Sequence, residues 1–234
     1  MTPILHTSSE ATRARLLEAG RQLFAEEGLE GARVDRLAHR AGVNKALINY
    51  HFRGKTGLYR AVLEEIFQEA AEELDRRIGG EVAPKERLRA WASALGEIMD
   101  EKPGFAALFL RELLSGGEHL EGSAGDGARQ ALDSLRETLS QGRDRGDLQD
   151  VDPFLVYLLL LGGAVLARLS APYRERLEGP ESDRDPKRHL PKSQREMVPF
   201  LEDLIQRGFL SPRSPGIAPP GRRGSEDRPT QEGE

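Results

Sequence analysis

The chain has 234 residues, room for one small domain and a larger one, and it lacks cysteine, which excludes disulfides and thiolate metal sites and points to a reducing, cytoplasmic setting. Its net charge of −5 hides an asymmetry: residues 1–60 hold ten Lys/Arg against six Asp/Glu, and residues 61–234 hold twenty-four against thirty-three. A basic end on an acidic body suits a protein that meets a polyanion at one end only.

Residues 1–11 lack apolar periodicity and are expected to form a flexible arm, and no charged-then-apolar signal segment is seen there. A first helix is predicted over residues 12–27, with Leu16, Ala19, Leu23 and Phe24 inward and Glu27-Gly28 as its stop. Val34, Leu37, Ala38 and Ala41 then recur at spacings of three and four, which predicts a second helix. Gly42 can end it in the left-handed conformation, and Asn44 stands where it can cap a third. In that third helix Ile48 and Phe52 face inward, Ala46 and Tyr50 face the opposite way, and Leu47 and Asn49 lie at the flanks. Helix-glycine-helix turns also occur in proteins that never touch DNA. An outward Asn and Tyr among Lys45, Arg53 and Lys55 nevertheless suits the reading helix of a helix-turn-helix in a major groove.

A fourth helix is predicted from Lys55 or Thr56 to about Arg77, long enough to leave the small domain and enter the next. Gly79-Gly80 and Pro84 separate it from a fifth over 85–100, and Pro103 opens a sixth that carries Phe105, Phe109 and Arg111. Residues 115–127 read as a Gly-rich loop, and a seventh helix follows over 128–145. Asp152 and Pro153 cap and start an eighth that ends near Ser170. Its apolar run, residues 154–167, is shorter than the roughly 20 residues that span a bilayer, so no membrane partner is expected. Residues 172–191 read as an irregular connection, residues 193–208 as a ninth helix, and residues 209–234 as a disordered tail. No strand pattern occurs, so the predicted class is all-α, with about nine helices.

From residue 12 to about residue 63 the sequence resembles the TetR/AcrR family of one-component transcriptional regulators. The resemblance rests on Leu17, Ala19, Leu23, Phe24 and Glu27-Gly28, then on Leu37-Ala38, Ala41-Gly42-Val43, Tyr50-His51-Phe52, Lys55 and Leu58-Tyr59 in that order and spacing. Two departures stand out. Ala32-Arg33 replaces the Thr that many members use to cap the second helix and hold phosphate, and Asp35 puts a negative charge near the DNA side. The resemblance implies residues 12–58 as a DNA-binding domain and residues 59–208 as an effector-binding and dimerisation domain.

On this reading double-stranded DNA is met by Arg33, Lys45, Ala46, Leu47, Asn49, Tyr50, His51 and Lys55, and the second partner is another copy of the chain. The candidate dimer interface is Tyr157, Leu160, Gly163, Leu201 and Leu204. Trp91, Phe105, Phe109 and Tyr157 are candidate walls of a pocket for a small apolar or acidic effector, and Arg111, with His119 as an alternative, is its candidate anchor. Aromatics at these spacings can equally fill a core. Glu118-His119 with Glu121 is a weak metal pattern in a flexible loop, and neither a metal nor a cofactor is expected. No nucleophile elbow, phosphate loop or His-Glu-x-x-His motif occurs. The expected function is a repressor released from a palindromic operator by its effector. The rival readings are an activator answering a protein partner, or a helical enzyme or adaptor that kept the fold and lost DNA binding.

Overall fold

Apolar residues three and four apart bring α1 (Ile4–Gly31), α2 (Val34–Ala41) and α3 (Ala46–Phe52) onto one another, with Leu16, Leu23, Phe24, Leu37 and Ile48 sealed from solvent. Each such side chain contributes roughly 1.5–3 kcal/mol on burial. The computed structural model describes residues 4–178, apart from 81 and 103. Among the described residues there are helices and turns but no strand.

The turn between α2 and α3 follows from two residues. Gly42 takes φ 63°, and Asn44 accepts a hydrogen bond through Oδ1 from the Ala46 N–H at 2.9 Å. Arg33 precedes α2 in an extended conformation without a side-chain cap, as its lack of a hydroxyl requires. α3 ends at Arg53, the one non-glycine with positive φ among the described residues, and Gly54 (φ 115°) then starts the next helix.

That helix, α4 (Lys55–Ile78), is 24 residues long and therefore about 36 Å from end to end. It is buried along its length, from Leu58 and Tyr59 through Ile66 to Ile78, because α1 and α3 pack on its beginning and later helices on the rest. Of the later helices, α5 (Pro84–Glu101), α6 (Phe105–Leu114) and α7 (Asp126–Asp144) pack on α4, α8 (Pro153–Leu169) packs on α5, α6 and α7, and α9 (Ala171–Glu178) packs on α8, with one 3₁₀ turn at Gly122–Gly125. Asp152 caps α8 by accepting the Leu155 N–H at 3.0 Å, with Pro153 in the first turn.

Two sequence expectations need correction, and two fall outside the described residues. The expected arm is helical from Ile4 on, since a packed helix can extend its backbone ladder without an apolar stripe. The segment expected to be irregular begins as α9, where Pro172 sits in the first turn and so costs no helical hydrogen bond. The expected ninth helix over 193–208, with Leu201 and Leu204, and the tail over 209–234 lie outside the described residues.

A close approach fixes the angle between α3 and α4: a Cβ built on Gly57 would overlap the carbonyl oxygen of Phe52. Gly→Ala inside a helix ordinarily gains about 1 kcal/mol. Here the sign reverses. Gly57→Ala is expected to destabilise the protein by roughly 1–3 kcal/mol, as overpacking does, in urea unfolding monitored by circular dichroism; a stabilised variant would contradict the close approach.

Candidate nucleic-acid interface

α3 has the two faces its sequence required. Ile48 and Phe52 are buried, with the Arg13 guanidinium 5.5 Å from the Phe52 ring centre, while Ala46 and Asn49 are exposed and Tyr50 is 77% exposed. Leu47 and His51 are half-buried at the flanks, and the Tyr50 and His51 rings meet edge to face at 4.9 Å. The Asn49 amide has no hydrogen-bond partner among the described residues, so it is available to a base edge.

Charges around this helix fall into two groups. Arg36 pairs with Glu27 and Arg40 with Glu26 (3.0 Å), which ties α2 to the end of α1 and holds the exposed Glu26 carboxyl below its usual range, chiefly through the Arg40 hydrogen bond. Lys45 pairs with Asp35 at 3.1 Å, both well exposed. Arg33 and Arg53 have no ion-pair partner among the described residues, and Lys55 donates to the Glu30 carbonyl at 3.4 Å. Arg53, which the sequence already places beside the reading helix, stands at the left-handed end of α3.

Behind the interface, α6 is clamped to α1. Arg111 donates to the carbonyls of Ala25 (3.3 Å) and Glu26 (3.1 Å), beside Gly28, where φ 74° breaks the helix. A Cβ on Gly28 would sit 2.8 Å from the guanidinium. Arg111 therefore donates to helix-end carbonyls, and it does not line the apolar pocket of the larger unit. Its neighbour Glu112 is 1% exposed and accepts from the Tyr59 hydroxyl of α4 (2.7 Å) and the His119 backbone N–H (3.1 Å). His119 Nδ1 lies 3.3 Å from the same carboxyl, near enough to pair when protonated but out of line for a hydrogen bond. Burial, and then the bond to Glu112, pushes the Tyr59 hydroxyl well above the ordinary tyrosine range.

A third tie uses Arg21 of α1, which reaches Glu65 (3.0 Å) and Glu69 (3.2 Å) of α4 while Lys102 also holds Glu69 at 3.0 Å. Burial opposes ionisation of Glu69, yet hydrogen bonds from Arg21 and Lys102 keep its carboxyl below the usual range.

The helices of the larger unit form a partly open apolar pocket of about 30 Å³, lined by residues of α4 to α8 that include Phe67, Trp91, Phe105 and Tyr157. Phe109 stacks on Phe105, meets Phe67 edge to face and is not in the lining. His119, the alternative anchor, stands at the α6 junction instead.

α8 leaves an apolar stripe in solvent: Leu155, Leu158, Leu159 (62% exposed), Leu166 and Leu169, at helical spacing. Leu160, an expected interface residue, is only 4% exposed and belongs to the core, while Tyr157 lines the pocket and Gly163 is half-buried. Of the expected interface residues Leu160 therefore does not face solvent, because a helix that is apolar all round does not reveal which side its own fold covers. No helix among the described residues is long and apolar enough to cross a membrane.

Two family models match this chain: bacterial regulatory proteins of the tetR family over residues 16–62, and the tetracyclin repressor-like C-terminal domain over residues 84–189. The chain belongs to the TetR family. TetR-family proteins are DNA-binding transcriptional regulators and not enzymes. This chain is similar to the transcriptional repressor NicS of Pseudomonas putida, with 26% identity over 152 residues, 64% of this chain and 71% of NicS. It is similar also to the regulator RutR of Escherichia coli K12, with 25% identity over 150 residues, 64% of this chain and 70% of RutR. The fold matches that of the regulator FadR of Bacillus subtilis, solved with stearoyl-CoA, at a TM-score of 0.64 and 16% identity over 82% of this chain and 96% of FadR.

The Asp35–Lys45 pair gives this TetR-family surface a direct test. An exposed pair is worth at most about 1 kcal/mol to stability, so its main effect falls on DNA. Asp35→Asn is expected to raise affinity for all DNA sequences alike and to steepen the slope of log K against log salt by up to about 0.9, measured by fluorescence anisotropy. Unchanged affinity and slope would place Asp35 away from the DNA surface.

Proposed function

We propose that the protein is a homodimeric repressor that holds a palindromic operator and lets go when a small molecule enters the pocket of its larger unit. The observation that carries this reading is the course of α4, which begins at the end of the exposed reading helix and continues as a wall of the pocket. An effector that prefers one placement of α4 then changes the placement of α3, and affinity for DNA changes by the same differential free energy.

In this reading Lys45, Leu47 and Asn49 meet base edges, with Asn49 pairing with adenine and the partly exposed Leu47 meeting a thymine methyl. Arg33, Tyr50, His51, Arg53 and Lys55 hold the backbone on either side. Two copies, joined along the α8 stripe, would present their third helices to successive major grooves about 34 Å apart, so the operator should be an approximate palindrome. Repression is favoured over activation by the likeness to NicS, which is named a repressor, and effector control by the FadR fold seen with stearoyl-CoA.

Selection of binding sites from random duplexes, followed by anisotropy, tests the reading helix. Asn49→Ala should relax preference at one base pair of each half-site and cost about 1–3 kcal/mol there; a preference identical to wild type would remove Asn49 from base readout. Assembly is tested by Leu159→Glu, which puts a charge in the middle of the stripe. Sedimentation should then report monomers, with operator affinity falling at least tenfold. A dimer that survives the substitution would move the interface off α8.

A further inference from the structure

The pocket has a definite chemistry. Its lining contains no Lys, Arg, His, Asp or Glu, and its walls are Phe67 and Leu74 of α4, Trp91 of α5, Phe105 of α6, and Tyr157 and Leu161 of α8. Two polar groups stand among them. Trp91 is 0% exposed and its indole N–H has no hydrogen-bond partner among the described residues, which is costly for a buried donor. The Tyr157 hydroxyl makes no hydrogen bond within that set either, and burial pushes it up to about 12, so it stays neutral.

Resting on the reading that effector binding controls this pocket, we propose that the effector is an uncharged, largely apolar molecule with one hydrogen-bond acceptor, and that Trp91 donates to that acceptor. A carboxylate or an ammonium group would lose its hydration here with no opposite charge to meet it. An indole N–H can only donate, so the matching group on the ligand is a carbonyl, ether or similar neutral acceptor. At about 30 Å³ the pocket holds little more than one water-sized group, so the effector must widen it, chiefly between α4 and α7, to enter. Small residues at that contact, Ala70 and Ala71 against Ala128 and Ala131, leave bulk to be supplied by the ligand.

Trp91 is the only tryptophan of the chain, so its emission reports on the pocket alone. The full-length protein is titrated with 1-phenylalkan-1-ones of two to nine side-chain carbons and with the matching alkylbenzenes, ω-phenylalkanoates and ω-phenylalkylammonium ions. Trp91 emission and melting temperature are followed in each case. Ketones should bind and raise the melting temperature; alkylbenzenes should bind about fivefold to tenfold more weakly, the factor one neutral hydrogen bond supplies, and the charged series should not bind. In Trp91→Phe, followed by melting temperature, the ketone advantage over the alkylbenzene should vanish. Should the alkanoates or ammonium ions bind and the ketones not, the assigned chemistry is overturned while effector control of the pocket survives. Binding by none of the four series overturns both. An undiminished ketone advantage in Trp91→Phe removes Trp91 as the donor.

Discussion

A buried carboxyl can be tolerated only while its hydrogen-bond partners stay in place, and Glu112 is such a group at the point where the two units of this protein meet. Its partners come from α4, through Tyr59, and from the turn after α6, through His119. Arg111 beside it grips the end of α1. Moving any one of these elements alone would strand a polar group, at a cost of about 1–3 kcal/mol for each bond left unmade. α1, α4 and α6 are therefore expected to shift as a body, which is what a regulator needs if a change in its pocket is to reach its DNA-reading helix.

The pocket joins the same body at two places. Phe105 at the start of α6 and Phe67 in α4 both line it, and their rings meet at 5.2 Å. At the other end of the body, Gly57 lets α4 approach the end of α3 so closely that the reading helix has little freedom of its own. The α4 route was foreseeable from its length. The α6 route adds a second connection, through Arg111 to α1, and turns a single lever into a two-sided clamp.

Much of this was legible in the sequence because it depends on local chemistry. Gly42 and Asn44 specify the turn, Asp152 and Pro153 specify the start of α8, and the spacing of Ile48 and Phe52 leaves Ala46, Asn49 and Tyr50 outside. What was not legible depends on residues far apart in the chain. Arg111 looked like a ligand anchor because nothing local supplies its partners, which are carbonyls of α1 some 85 residues earlier. Glu112 and Tyr59 carried no sequence signal of their pairing. Leu160 and Leu159 are alike in sequence, and only the packing of α8 on its own protomer separates the buried one from the exposed one. The extension of α1 to Ile4 escaped because a packed helix can lengthen through its backbone ladder without an apolar period.

In the proposed mechanism the state of the pocket sets the affinity for DNA, and this coupling can be tested without knowing the effector. Ala131 of α7 lines the pocket and has no part in the DNA surface, so Ala131→Phe fills the space that an effector would claim. Operator affinity is measured by anisotropy on protein that keeps its helical spectrum and its dimer mass. The account expects a fall of at least tenfold; affinity equal to wild type in the folded dimer would contradict it.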